Sequence, residues 1–216
     1  LLAACGSEPP NPSEVCEPPP QNQLEDCYVN QEKEKVEIRK ARDIEQLCNS
    51  NCGKIRLLSV NYVAKLETLE PLGNPLSIGT LDIFENPDLK SLEGLQSTPI
   101  LHSLTLPGQN NIESLEGLNF ADSFSALEVS GADFRSFKGL GNVDHLKVLD
   151  IHHNEVLRDL SGLEGVQSID KLRIRRNQNL TSTAGVNALG KLTVPGRSFQ
   201  LANNPNLRRL VGFNQV

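Results

Sequence analysis

Four histidines, five cysteines and a cluster of arginines are the residues of this 216-residue chain with the most chemistry to offer. The histidines, His102, His145, His152 and His153, come with no serine elbow, no HExxH pair and no phosphate-cradling glycine loop. His152 and His153 are adjacent, yet a metal site needs further ligands from neighbouring segments. The equivalent positions there are Ser130 and Gly131 on one side, Arg175 and Arg176 on the other. The pair therefore reads as solvated, and no catalytic residue, cofactor or metal is expected. The cysteines are Cys5, Cys16, Cys27, Cys48 and Cys52, and the ten residues between one pair and three between the next do not match common zinc knuckles. Setting Cys5 aside leaves an even set, enough for two disulfides in an oxidising compartment. Proximity suggests Cys16 with Cys27 and Cys48 with Cys52, although the sequence leaves the connectivity open.

The arginines stand out because charge is unevenly spread. The chain carries −6 overall; residues 1–53 hold 5 basic and 10 acidic side chains, and residues 54–170 hold 8 and 17. Residues 171–216 contain Lys171, Arg173, Arg175, Arg176, Lys191, Arg197, Arg208 and Arg209 and no acid at all. Such a run is ordinarily a solvated face, or here a complement to acidic turns further along. Its functional reading is a contact for an anionic partner, because guanidinium geometry suits carboxylate and phosphate. Arg173, Arg175, Arg176 and Arg197 are the candidates. A net-acidic exported chain is a poor nucleic-acid binder, which leaves an acidic protein loop or an anionic glycan.

A repeat has to position these residues. In "LDIFENPDLKSLEGL", Leu81 to Leu95, apolar residues fall two apart and then three apart, as in a short strand followed by a wide turn. The start recurs at Leu58, Leu81, Leu104, Leu127, Leu149, Leu172 and Phe199, with steps of 23, 23, 23, 22, 23 and 27. The second strand residue is Val60, Ile83, Leu106, Val129, Ile151, Ile174 and Leu201. An apolar triplet follows in each turn, such as Leu157, Leu160 and Leu163, and arrives one residue early as Phe134, Phe137 and Leu140 in the short fourth turn. Glycine precedes the last apolar residue in six turns of seven. One turn cannot bury enough to offset its ordering entropy, whereas a stack can.

Asn86, Asn154, Asn177 and Asn204 share one column, where a buried amide would satisfy corner backbone groups that no strand partner reaches. Gln109 to Asn111 and Ala132 interrupt that column, so local irregularity is expected there. Outside the core, the strands present two polar columns: Ser59, Asp82, Thr105, Glu128, Asp150, Arg173 and Gln200, then Asn61, Phe84, Pro107, Ser130, His152, Arg175 and Ala202. Phe84, with Tyr62 nearby, is the candidate aromatic anchor on this face.

"HLKVLDIHHNEVLRDLSGL" and "IDKLRIRRNQNLTSTAGV" resemble leucine-rich repeats, and the short turns closing on Gly-Leu or Gly-Val are similar to the receptor L domain. The resemblance covers Lys54 to Val216. It implies a mainly β, right-handed solenoid with one strand per turn. "ARDIEQLCNSNC" resembles the cysteine-bearing helical cap that opens such domains, so residues 31–53 are expected to be a charged helical cap, with helical character towards its end. The proline-rich stretch of residues 6–30 reads as an extended tether. "LLAAC", residues 1–5, resembles the end of a bacterial lipoprotein signal, with Cys5 as the acylated residue. Residues 54–216 form seven turns that are expected to continue past Val216, since no capping repeat is present.

Together these expectations describe a lipid-anchored recognition or adhesion module of the bacterial cell envelope, attached at Cys5 and binding a protein or glycan through the sheet face. The alternatives are a secreted form, the targeting arm of a larger enzyme, and the ectodomain of a eukaryotic receptor-like protein, for which Asn179 in "NLT" would be a glycosylation sequon.

Overall fold

A computed structural model describes residues 32–40, 54–72, 77–108, 111–131, 133–141, 143–186 and 199–212. All five cysteines and Arg197 lie outside the described residues. The strands are β1 (Glu32–Ile38), β2 (Lys54–Asn61), β3 (Ser77–Phe84), β4 (Pro99–Leu106), β5 (Asn119–Phe120), β6 (Ala126–Ser130), β7 (His145–His152), β8 (Ser168–Arg175) and β9 (Phe199–Ala202). They form one parallel sheet in the order β1-β2-β3-β4-β6-β7-β8-β9, with β5 paired to β4. A single 3-10 turn, Glu70–Leu72, is the only helix among the described residues. The chain is a mainly β solenoid.

The sequence columns are the hydrogen-bond register. Leu58 pairs with Leu81, Leu81 with Leu104, Leu104 with Leu127, Leu127 with Leu149, Leu149 with Leu172, and Leu172 with Phe199. From Leu58 to Leu172 this column is buried, as are its companions Val60 to Ile174. At the last strand the column opens, with Phe199 41% exposed. After each strand the chain turns in three-residue steps. Leu163 N–H donates to Leu160 O at 3.3 Å and Leu140 N–H to Phe137 O at 3.1 Å, which is why every third side chain points inward. At about 1.5–3 kcal/mol per buried aliphatic side chain, each added turn strengthens the stack. Thr183 replaces leucine in the sixth turn and stays buried because its hydroxyl donates to Val211 O at 2.9 Å and accepts from Val211 N–H at 2.7 Å.

Close stacking explains the glycine column. Phe137 N–H donates to Ser161 O at 2.7 Å and draws the next residue, Gly162, onto the preceding coil. Gly162 has φ 96°, and a Cβ there would collide with Phe137 C and Lys138 N.

The described part of the segment expected to be a helical cap is a strand. β1 pairs in parallel with β2, Val36 opposite Leu58 and Ile38 opposite Val60, and Ile38 is buried. "VEI" is thus a further copy of the strand pair, 22 residues before Leu58, and sheet pairing outweighs the helical tendency of the surrounding Glu and Lys. Residues 41–53, where the helical character was placed, lie outside the described set.

The described residues show two departures from the regular repeat. The β3–β4 register shifts between Ile78 and Thr80, and β5 inserts beside β4 with Phe120 tilted on Phe124 at 4.5 Å. In the short fourth turn Phe134 and Phe137, both fully buried, pack edge to face at 5.0 Å and fill the room that a missing residue leaves. Gln109, Asn110 and Ala132 are outside the described residues.

Leu160→Ala is expected to cost about 2–5 kcal/mol as transfer and cavity terms, whereas the exposed Arg158→Ala should change stability by less than about 0.5 kcal/mol. Gly162→Ala should lose about 1–3 kcal/mol through its positive φ alone and more through overlap. Urea denaturation midpoints of the three variants check both statements. Equal midpoints for Leu160→Ala and Arg158→Ala would place the repeat phase wrongly.

Candidate ligand-binding face

The parallel strands line up the two polar columns as read from the sequence, and the backbone adds a third. Tyr62, Glu85, Gly108, Gly131, His153, Arg176 and Asn203 all have φ between 48° and 86°, one residue per turn, each at the strand's exit. Each of the seven immediately precedes the asparagine column or its substitute in sequence, and the left-handed residue carries the chain from sheet into corner. The N–H groups of Tyr62, His153 and Arg176 extend the ladder to Phe84 O, Arg175 O and Ala202 O at 3.1–3.2 Å. Side chains at these left-handed positions therefore stand in a row beside the sheet.

At the basic end, Arg173 and Arg175 converge on one carboxylate. Asp150 is the register partner of Arg173. Arg173 Nη1 donates to Asp150 Oδ2 at 3.2 Å, and Arg175 Nη2 donates to Oδ1 at 3.1 Å and Oδ2 at 3.0 Å. The Asp150 side chain is 8% exposed while the two guanidinium side chains remain 36% and 35% exposed. The cluster carries one surplus positive charge on two fixed, planar donors. Asp150 was on the page of the sequence as one more outward residue; its coupling to both arginines follows from register, which a charge count along the chain does not express.

Arg176 is separate. It is exposed, and its Nη1 donates to His153 Nε2 at 3.3 Å. His153 Nδ1 lies 2.9 Å from His152 Nδ1, and His152 Nε2 lies 3.3 Å from Glu128 Oε1. With His153 Nε2 accepting from arginine, its proton sits on Nδ1 and is donated to His152, whose own proton faces Glu128. Desolvation, then His152, Arg176 and Arg175, lower the His153 pKa and keep it neutral. The histidines are thus structural links between the acidic and basic parts of the face. Among the described residues no group of three or more His, Cys, Asp or Glu is arranged to hold a metal ion.

At the other end, Tyr62 and Phe84 pack edge to face at 5.4 Å. Tyr62 is the exposed member at 58%, and Phe84 is partly covered. Gly108 leaves the Phe84 ring edge open, since a Cβ there would stand 3.3 Å from Phe84 Cε2. The structure therefore brings Tyr62 to Phe84 and Arg173 to Arg175, and leaves these two groups at separate ends of one face.

Asp82 shares β3 with Phe84, and its carboxyl is pushed up by burial, the largest contribution, and by Glu128 against the lowering effects of the Ser59 hydroxyl and Lys35. Ser59 itself is covered and receives Asn61 Nδ2 at 2.9 Å.

No family model matches the chain, and no solved structure matches it. Two curated proteins do: the leucine-rich repeat-containing G-protein coupled receptor 5 of Rattus norvegicus and that of Bos taurus, each 31% identical over 102 residues. The matched stretch is 46% of this chain and 11% of either receptor, so the chain spans about a tenth of the length of these relatives. With the register and the amide column, this gives the chain leucine-rich-repeat-like character.

Because the folded Asp82 pKa lies above its unfolded value, the fold favours the protonated acid. The contribution is present at low pH and is lost as pH rises through the ordinary carboxylate range and the folded value. Asp82→Asn should therefore raise the thermal midpoint at neutral pH, with the gain vanishing in acid. A gain independent of pH would contradict the assignment.

Proposed function

We propose that the chain is a non-catalytic recognition module whose sheet face binds an anionic protein or glycan partner. The observation that carries this reading is the Asp150 cluster: two guanidinium groups held in fixed geometry by a buried carboxylate, each still open to solvent on a continuous sheet face. Holding donors in place before binding reduces the ordering cost of association. The similarity to a leucine-rich repeat-containing receptor supports binding over catalysis. Repeat solenoids offer extended faces of this kind.

Binding of an immobilised sulfated polysaccharide or acidic peptide should weaken as salt rises, the Debye length falling from about 10 Å at 0.1 M to about 3 Å at 1 M. Arg173→Gln keeps a hydrogen bond for Asp150 but removes the charge, and with Arg176→Glu it should weaken binding about tenfold or more. Lys54→Glu and Lys65→Glu, at the far end of the stack, should change little. Equal losses from both pairs would mean that net charge alone acts, and the site reading would fail.

For location we propose a lipid anchor on Cys5, placing the module at the bacterial cell envelope, with the "LLAAC" motif and the parity of the cysteines as support. The similarity to mammalian receptors favours one other reading, a receptor-like ectodomain modified at Asn179. Cys5→Ser separates them. Release from membranes into the soluble fraction supports the lipoprotein, and unchanged retention together with a glycan on Asn179 supports the ectodomain.

A further inference from the structure

The sheet face changes sign along its length. On the coils of β2, β3, β4 and β6, the two outward columns and the left-handed exit column carry Asp82, Glu85 and Glu128, and no base stands among them. Two strands beyond β6, Arg173, Arg175 and Arg176 give the opposite sign, of which Asp150 neutralises only one charge. At β1 the columns run on through Glu37, Arg39 and Lys40, with Arg39 paired to Glu37 at 3.2 Å. A uniform polyanion is therefore attracted by the arginines and repelled by the carboxylates beside them.

The acidic stretch begins at a group suited to a cation. The exposed Tyr62 ring is held edge to face by Phe84 at 5.4 Å, and its hydroxyl donates to the Glu85 carboxylate. Desolvation, then the charge of Glu85 and this hydrogen bond, raise the Tyr62 pKa. An aromatic face attracts a cation through its quadrupole, and a carboxylate at its rim pulls in the same direction. Between this group and the arginines the exit column consists of Gly108 and Gly131, so no side chain stands there over the backbone. From β3 to β8 there are four strand spacings, in the order β3-β4-β6-β7-β8. That is about 19 Å, or roughly six residues of extended chain.

We propose that the partner is a protein segment lying extended across the strands, with a basic side chain on the Tyr62 ring and Glu85 and acidic side chains about six residues away on Arg173 and Arg175. The inference rests on the anionic-partner reading and narrows it, because a sulfated glycan matches only the arginine end. Two linked contacts reinforce each other only when the linker spans both sites. Order and spacing of charge in the partner, rather than its net charge, then decide recognition.

The test uses the full chain and end-capped synthetic peptides, read by fluorescence anisotropy. The salt is about 0.1 M, where a Debye length of about 10 Å lets the two ends act separately. The ordered peptide is Arg-Thr-Ser-Thr-Ser-Thr-Glu-Glu, made in both chain directions. A scrambled peptide of the same composition, Thr-Ser-Glu-Arg-Glu-Thr-Ser-Thr, brings the charges together, and an acidic peptide has Ser in place of Arg. One of the two ordered peptides should bind about tenfold tighter than the scrambled and the acidic ones, the scale of a hot-spot contact. Tyr62→Asn, with a residue that accepts a positive φ, and Glu85→Gln should each remove most of that advantage. Equal thermal midpoints establish that the variants fold. Equal binding of ordered and scrambled peptides, or an advantage that survives both substitutions, overturns the inference. If the acidic peptide is still weakened by Arg173→Gln with Arg176→Glu, the anionic-partner reading stands without it. Insensitivity of every peptide to that double variant overturns both.

Discussion

Each coil of this solenoid has to dispose of the backbone polar groups at the corner after its strand, and Asn86, Asn154 and Asn177 do so with buried amides. Asn86 accepts from Val63 N–H at 2.9 Å and donates to Val60 O at 2.7 Å; Asn177 repeats the pattern with Asn154 N–H and Ile151 O. Each amide thus binds one coil to the one before, through groups that would otherwise be unpaired in the interior, each at a cost of about 1–3 kcal/mol. Where the column breaks, the structure shows it: Asn154 Oδ1, which faces the short fourth turn, has no partner among the described residues.

Corners fixed in this way let the outer face be specified independently. Stability comes from columns of leucine, valine and isoleucine, so the outward columns are free to carry groups chosen for other reasons. Asp82 is held on the face although burial disfavours its charge, and Asp150 is buried beneath two arginines.

Much of this architecture was legible in the sequence. A period of about 23 residues predicts register because equivalent residues in a solenoid are direct neighbours, and Leu58 to Phe199 pair as the spacing implies. The roles of the asparagines were legible for the same reason. β1 was hidden because Val36 and Ile38 sit among alternating Glu and Lys, a composition that reads as helix when pairing is ignored. The left-handed column was hidden too, since Tyr62, Glu85 and Arg176 are not residue types that announce a positive φ. At the candidate site the arginines were visible as charge, but Asp150 as their shared anchor was not. The Arg175 half of that pairing is a diagonal across two strands, whereas Phe84 does lie against Tyr62, as their placement in the sequence suggested.

The central claim is that the buried amides hold the coils together, and native-state hydrogen exchange of Asn177→Ala tests it most directly. Asn177 is fully buried and bonded to both the preceding and the following turn. The account predicts faster exchange of the Asn154 amide and of amides in β7, β8 and β9, with a loss of protection of about 2 kcal/mol or more, while β2 and β3 at the other end exchange as before. Unchanged protection across β7 to β9 would contradict it.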